Sequence, residues 1–279
     1  KKENRQMILR ENIEIQVDAG RSILWVLIGS PYELHYSYRT VCSFHESLDT
    51  ILNTIAGDHI KYVIMVSANK EVWNMGGDLE MFANSALQGR QDIIKDYAHK
   101  CVEVLAAINK GFYNDVIVMS VIQGNAFGGG FECALSGDYI IAEEHAKFSF
   151  PEVLFGTFPG MGAYSFLTRK LGFFRAHEMI TSGRKWTAFE MQQMGLVDSV
   201  CETGKAIDVI LKKIDGNELK NSSQFEKICR QVSVEELKEV VDIWLATTLK
   251  LNTHKIEFML RLAEAQKTKV KQFNAVPDS

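Results

Sequence analysis

Two glutamates and two glycine-rich turns are the residues of this chain best suited to chemistry. An apolar strand, Val116–Ile122, runs into the cluster Gly128-Gly129-Gly130. Glu132 follows the cluster, and Glu152 stands 20 residues further on, directly after Pro151. Bare backbone N–H groups beside two carboxylates suit reactions next to a carbonyl: the amides stabilise negative charge on oxygen while the carboxylates move protons. A second glycine pair, Gly76-Gly77, follows the apolar run Tyr62–Ala68. Strand, glycine-rich turn and helix therefore recur at 62–82 and 116–137. Two such turns can aim two N–H groups at one carbonyl oxygen. Taken singly, each is also an ordinary tight turn, with Asp78 as a helix N-cap.

Other glycine-based chemistries fail on spacing. The cluster lacks the G-x-x-x-x-G-K-[ST] of a phosphate loop and the G-x-G-x-x-G of a dinucleotide site. No serine occupies a G-x-S-x-G elbow. Cys133, beside Glu132, has no histidine near it and reads as a small buried hydrophobe rather than a nucleophile. His145 and His177 fall at positions without assigned chemistry. His35 and His45 lie in the N-terminal part, and no His/Asp/Glu spacing suggests a metal site.

The order N-M-G-G-D-L, G-N-A-F-G-G-G-F-E-C-A-L-S-G-D, F-S-F-P-E-V-L-F-G-T-F-P-G-M-G, L-T-R-K-L-G and W-T-A-F-E-M-Q-Q-M-G-L-V-D resembles the enoyl-CoA hydratase/isomerase, or crotonase, superfamily. The resemblance covers about residues 60–200. It implies an α/β fold, a spiral of repeated ββα units with a C-terminal helical region. It places oxyanion donors on the Gly77 and Gly129 amides and the catalytic carboxylates on Glu132 and Glu152. Substrate contacts fall on Met75, Gly76, Gly128, Leu135, Gly160 and Trp244, with no cofactor and no metal. Two carboxylates suit addition or removal of water across a Cα–Cβ bond, and like charges at one site push their pKa values apart. Which glutamate is acid and which is base stays open.

The N-terminal part departs from that pattern. Where ordinary hydratases carry a turn that helps hold the coenzyme A nucleotide, this chain reads Ile28-Gly29-Ser30-Pro31-Tyr32-Glu33-Leu34-His35-Tyr36-Ser37-Tyr38. The combination most resembles the diffusible signal factor synthases. These are expected to dehydrate a 3-hydroxyacyl thioester on acyl carrier protein and then hydrolyse it, releasing a cis-2-unsaturated acid for quorum sensing. Other readings are an enoyl-CoA hydratase of fatty-acid breakdown and a catalytically silent crotonase-fold binding partner. Implied partners are an acyl carrier protein or acyl-CoA thioester and a sensor protein. The resemblance also implies a homotrimer or dimer of trimers.

The elements that must position these residues follow from periodicity. Paired strands are expected at 13–18 and 22–29, and further strands at 62–68, 116–122, 138–143 and 147–150. Helices are expected around 40–56 and at 91–109, where Ile94, Tyr97, Cys101, Leu105 and Ile108 recur at helical spacing before Gly111. After about 205 the strand signals stop. Ala206–Ile214, Val234–Leu251 and His254–Lys267 read as helices, and Gly216–Ser223 as a loop. We therefore expect a core at 1–205 and, at 206–279, a helical region that covers the site and joins subunits. Trp244, Leu245, Leu249, Phe258 and Met259 are its apolar candidates, mostly for the core and a few for an acyl sleeve. Lys267, Lys269 and Lys271 read as a solvated tail.

The 279 residues are 46% hydrophobic with a net charge of −4. That gives no basic footprint for nucleic acid. No apolar run reaches the roughly 18–20 residues of a membrane span, and no signal-peptide pattern precedes the first strand. Five scattered cysteines suggest reduced thiols and a cytoplasmic protein.

Overall fold

The structure is a computed structural model that describes residues 4–69, 71–113, 115–219 and 224–274. The chain opens with strands β1 (Arg5–Arg10), β2 (Ile13–Asp18) and β3 (Ile23–Ile28), an antiparallel meander. Helix α1 (Tyr38–Asp58) follows, capped by the Ser37 side chain, which accepts from the Thr40 N–H.

Three coils then repeat one plan. The first is β4 (Tyr62–Ser67), β5 (Val72–Asn74), α2 (Leu79–Leu87) and α3 (Gln91–Asn109). The second is β6 (Ile117–Ile122), β7 (Asn125–Phe127) and α4 (Gly129–Ser136). The third is β8 (Tyr139–Glu143), β9 (Lys147–Ser149), a 3-10 turn at Pro151–Phe155, α5 (Ala163–Leu171) and α6 (Phe173–Ser182). In each coil the longer strand joins one sheet, the three-residue strand joins another, and helix follows. Then come β10 (Trp186–Thr187), α7 (Ala188–Gln193) and β11 (Ser199–Cys201). Helices α8 (Ala206–Asp215), α9 (Gln224–Arg230), α10 (Val234–Thr248) and α11 (Thr253–Asn274) complete the described chain. The large sheet runs β1-β2-β3-β4-β6-β8-β11 and the small one β10-β9-β7-β5.

The central strands are apolar on both faces, as parallel strands covered by helices must be. Along β4 and β6, Val63, Met65 and Val118 face the main core beneath α1 and α3. The alternate residues Ile64, Val66, Met119 and Val121 pack with Ala206, Ile210 and Ile214 of α8. That alternation is the period of two of a pleated strand. Helices α10 and α11 lie against α3 and α2.

Most expected elements are present, α3 with the bounds expected of it. Others differ. Each glycine-rich turn is reached through an intervening strand, β5 or β7, whose three residues are too few to show alternation. Strands β1 and β11 and helix α9 were not anticipated. Helix α10 stops at Thr248, before the expected Leu251, and α11 runs past Lys267. Residues 220–223 of the expected loop lie outside the described residues.

One close approach ties the first coil to the second. A Cβ at Gly130 would lie 2.5 Å from the Asn74 carbonyl oxygen and 2.8 Å from the Asn74 Cβ. The Trp73 indole donates to the Gly130 carbonyl at 3.1 Å across the same gap. Gly130→Ala is therefore expected to force β5 and α4 apart and to cost about 1–3 kcal/mol. A lowered urea midpoint would register this. An unchanged midpoint would show that the two segments separate freely.

Candidate active site

Glu132 sits in the first turn of α4 and is 1% exposed. Its Oε1 accepts from the backbone N–H of Met161 at 2.8 Å and of Ala163 at 2.9 Å. Between these two donors Gly162 has φ +131°, a conformation open to glycine, so both N–H groups can turn onto one oxygen. Burial pushes the Glu132 carboxyl up to about 7, against the pull of the Ala163, Met161 and Gly162 amides.

Glu152 enters the site from the 3-10 turn, directly after Pro151. Its Oε1 lies over Gly128, where a Cβ would come within 2.3 Å of it. Its Oε2 is buried without a hydrogen-bond partner, although the residue as a whole keeps some exposure. Such an orphaned acceptor is uncommon in a folded protein and is expected where a ligand completes the set. Burial, and then the charge of Glu132, push the Glu152 carboxyl up to about 8.

The two glycine turns meet at the same cavity as the carboxylates. A Cβ on Gly129 would sit 3.7 Å from the Gly77 nitrogen, and one on Gly76 would sit 3.4 Å from the Gly129 nitrogen. Neither the Gly77 nor the Gly129 amide has a hydrogen-bond partner among the described residues. The Gly76-Gly77 turn is held by the N-terminal segment that departs from the hydratase pattern. Tyr36 N–H donates to the Gly76 carbonyl at 2.8 Å, and Met75 N–H donates to the Leu34 carbonyl at 2.6 Å. The Tyr97 hydroxyl donates to the Tyr36 carbonyl at 2.7 Å. Asp78 caps α2, accepting from the Met81 N–H at 2.9 Å.

These groups open onto one cavity of about 340 Å³. Its remaining wall is mostly apolar: Val41 and Phe44 from α1, Val104 and Leu105 from α3, Trp244 from α10, and Met259 and Leu262 from α11. Met75, Gly76, Gly77, Gly129, Glu132, Glu152, Gly160 and Trp244 all line it, and the Trp244 ring lies directly on Gly160. Gly128 lies beneath Glu152 instead. Leu135 does not line the cavity. It is three residues beyond Glu132, roughly 4.5 Å further along the helix axis, fully buried beside Asn109 and Phe166. Leu245 belongs to the core, and Leu249 and Phe258 pack against it.

Tyr36 and Tyr97 were missed by sequence reasoning, though the departing segment at 30–40 pointed to the neighbourhood. Cys133 lines the cavity, and burial pushes its thiol up to about 11, so it stays protonated. Neither His35 nor His45 lines the cavity. Of the lysine cluster, Lys267 pairs with Glu80 at 2.6 Å, and the side chains of Lys269 and Lys271 lie outside the described residues. Among the described residues no cluster could hold a metal ion, and no helix is long and apolar enough to cross a membrane.

The family model for enoyl-CoA hydratase/isomerase matches residues 43–213. The chain belongs to the enoyl-CoA hydratase/isomerase family. A mitochondrial enoyl-CoA hydratase from Pongo abelii is 28% identical over 211 residues, covering 74% of this chain and 66% of the relative. The match to a second curated relative covers 60% of that protein, so the chain spans less than two thirds of either. Among solved structures, an enoyl-CoA hydratase from Bacillus halodurans superposes with a TM-score of 0.75 at 21% identity, over 90% of this chain and 99% of that one. One from Mycobacterium avium subsp. paratuberculosis K-10 gives 0.61 at 19% identity, over 95% of each. At these identities the superpositions speak for the crotonase-type fold.

The carboxyl pair sets a pH window. Below about 7 both groups hold protons and neither is a base; above about 8 both are ionised and neither is an acid. A rate that needs one of each should rise and fall around that interval. In Glu132→Gln the charge that raises Glu152 is gone, so its pKa should fall below about 8 while burial still holds it above the ordinary 4.5. Carboxyl ¹³C NMR titration reads this directly. An unmoved Glu152 would mean the two carboxylates do not share one field.

Proposed function

We propose that this enzyme dehydrates a 3-hydroxyacyl thioester presented by acyl carrier protein and then hydrolyses the thioester, releasing a 2-enoic acid of the diffusible-signal-factor kind. The observation that carries the reading is the cavity itself. Two carboxyls of raised pKa, one with an unpartnered oxygen, face two unengaged backbone amides.

In the first step the thioester oxygen accepts from Gly77 and Gly129. An ionised carboxylate takes the α-proton, and the negative charge moves onto that oxygen as an enolate. The protonated carboxyl gives its proton to the β-hydroxyl, which leaves as water while the enolate collapses to the 2-enoyl thioester. In the second step water attacks the thioester carbon and a carboxylate takes its proton. The same amides hold the tetrahedral oxyanion, and the thiol leaves with a proton. Cis geometry rests on the resemblance alone.

A carrier protein is favoured over coenzyme A by the role of the 30–40 segment. Leu34 and Tyr36 are engaged in bracing the Gly76-Gly77 turn, which supports a substrate held by something other than a nucleotide cradle there. The mostly apolar wall supports a fatty chain. Hydration of an enoyl-CoA is the second reading, supported by the names of the relatives.

Glu132→Ala and Glu152→Ala should each lower turnover by about 10²–10⁴-fold with unchanged circular dichroism. Full activity in either folded variant would remove that glutamate from the mechanism. Mass analysis after incubation with 3-hydroxyacyl carrier protein should show free 2-enoic acid, and kcat/KM should exceed that for the coenzyme A thioester. Reversible hydration of enoyl-CoA without free acid would make it a hydratase.

We also propose a trimer or dimer of trimers. Phe174 on α6, 88% exposed beside the 58% exposed Phe173, supports a covered face. Light scattering at micromolar concentration should give at least three chains, and a monomer would refute this.

A further inference from the structure

The cavity wall contains three charged side chains: Glu132, Glu152 and Lys185. The two glutamates are inside. Lys185 is at the opening, since the exposed lining residues are Leu154, Lys185 and Ala265. It is the single cation of the wall, and it has no ion pair or hydrogen bond among the described residues. Its Nζ lies 5.6 Å from the centroid of the Phe127 ring, two residues before Gly129.

The backbone beneath Lys185 is fixed on both sides. Gly183 lies against Val153 and Leu154, which follow Glu152 directly. Trp186 pairs with Phe148 in the small sheet, and Thr187 forms a capping box with Glu190. The neighbouring Arg184 is already engaged, with its guanidinium 4.0 Å from the Trp186 ring and a hydrogen bond to Glu190. Of these two adjacent cations, Lys185 alone is free for a ligand. A thioester whose oxygen sits at Gly77 and Gly129, with its acyl chain in the apolar interior, sends its arm out through the opening that Lys185 shares with Leu154 and Ala265.

We propose that Lys185 binds the phosphate esterified to the far end of the pantetheine arm. This inference rests on the thioester reading above but not on which carrier bears the arm, because coenzyme A and acyl carrier protein share that phosphate. A compact ammonium held at the opening over a ring face suits a phosphate as a point charge.

The test compares two small substrates, the same 3-hydroxyacyl chain on phosphopantetheine and on pantetheine without phosphate. Lys185→Gln should lower kcat/KM about tenfold on the first, the lower end for a charge-assisted contact, and leave the second unchanged. Lys185→Arg should retain most of the phosphate-dependent rate. Lys255→Gln, which removes a lysine lying over Gly156 but outside the cavity wall, should leave both substrates unaffected. Equal loss on both substrates, or loss on neither, overturns the assignment. Running the variants on acyl carrier protein and coenzyme A thioesters then shows which source the site serves. Should wild-type enzyme prefer coenzyme A, the carrier reading fails while the phosphopantetheine comparison still decides the role of Lys185.

Discussion

Two main chains meet with no side chain between them where Gly76-Gly77 faces Gly128-Gly129-Gly130, and the rest of the site is arranged around that contact. The Asn74 carbonyl occupies the space that a Cβ of Gly130 would need, and a Cβ on Gly76 would come within 3.2 Å of the Phe127 carbonyl oxygen. Parallel coils bring successive turns to the same end of the sheets, so the repeat itself supplies the alignment. The glycines supply the distance. Tyr36 and Leu34 then fix the outer turn from the far side, with Tyr97 securing Tyr36.

The carboxylates are governed by a balance within the same structure. Removal from water raises both, and three backbone amides around Gly162 pull Glu132 back down. Glu152 has no comparable donors on its Oε2 and feels its partner's charge as well, so it holds its proton longer. Two chemically identical groups are thereby made unequal by the backbone that surrounds each one. Raising both carboxyl pKa values also means that the fold loses stability as pH climbs from the ordinary carboxylate range through 7 and 8, because ionisation is then forced inside the protein.

Much of this was legible in the residues, and the illegible parts share a cause. Long strands and long amphipathic helices announce themselves by period, as α3 does through Ile94, Tyr97 and Leu105. The two glutamates and the two glycine turns stand in ordered motifs, and the structure brings them to one cavity. Strands β5 and β7 carry three residues each and leave no periodic trace. Contacts between distant positions leave none either: Met161 and Ala163 on Glu132, Trp244 on Gly160, Lys185 beside Phe127. Leu135, which the resemblance put among the substrate contacts, is instead buried beside Asn109 and Phe166 and does not line the cavity.

The wall supplied by α10 and α11 comes from residues 244–266, far downstream of the sheets they cover. A growing chain emerges N-terminus first and folds as it emerges. Both sheets and both glutamates are available before Trp244, Met259 and Leu262 leave the ribosome. Until then Val41, Phe44, Val104 and Leu105 face water along an open furrow. The apolar furrow lining the mature cavity is thus the sticky surface of the half-made protein until the last helices arrive.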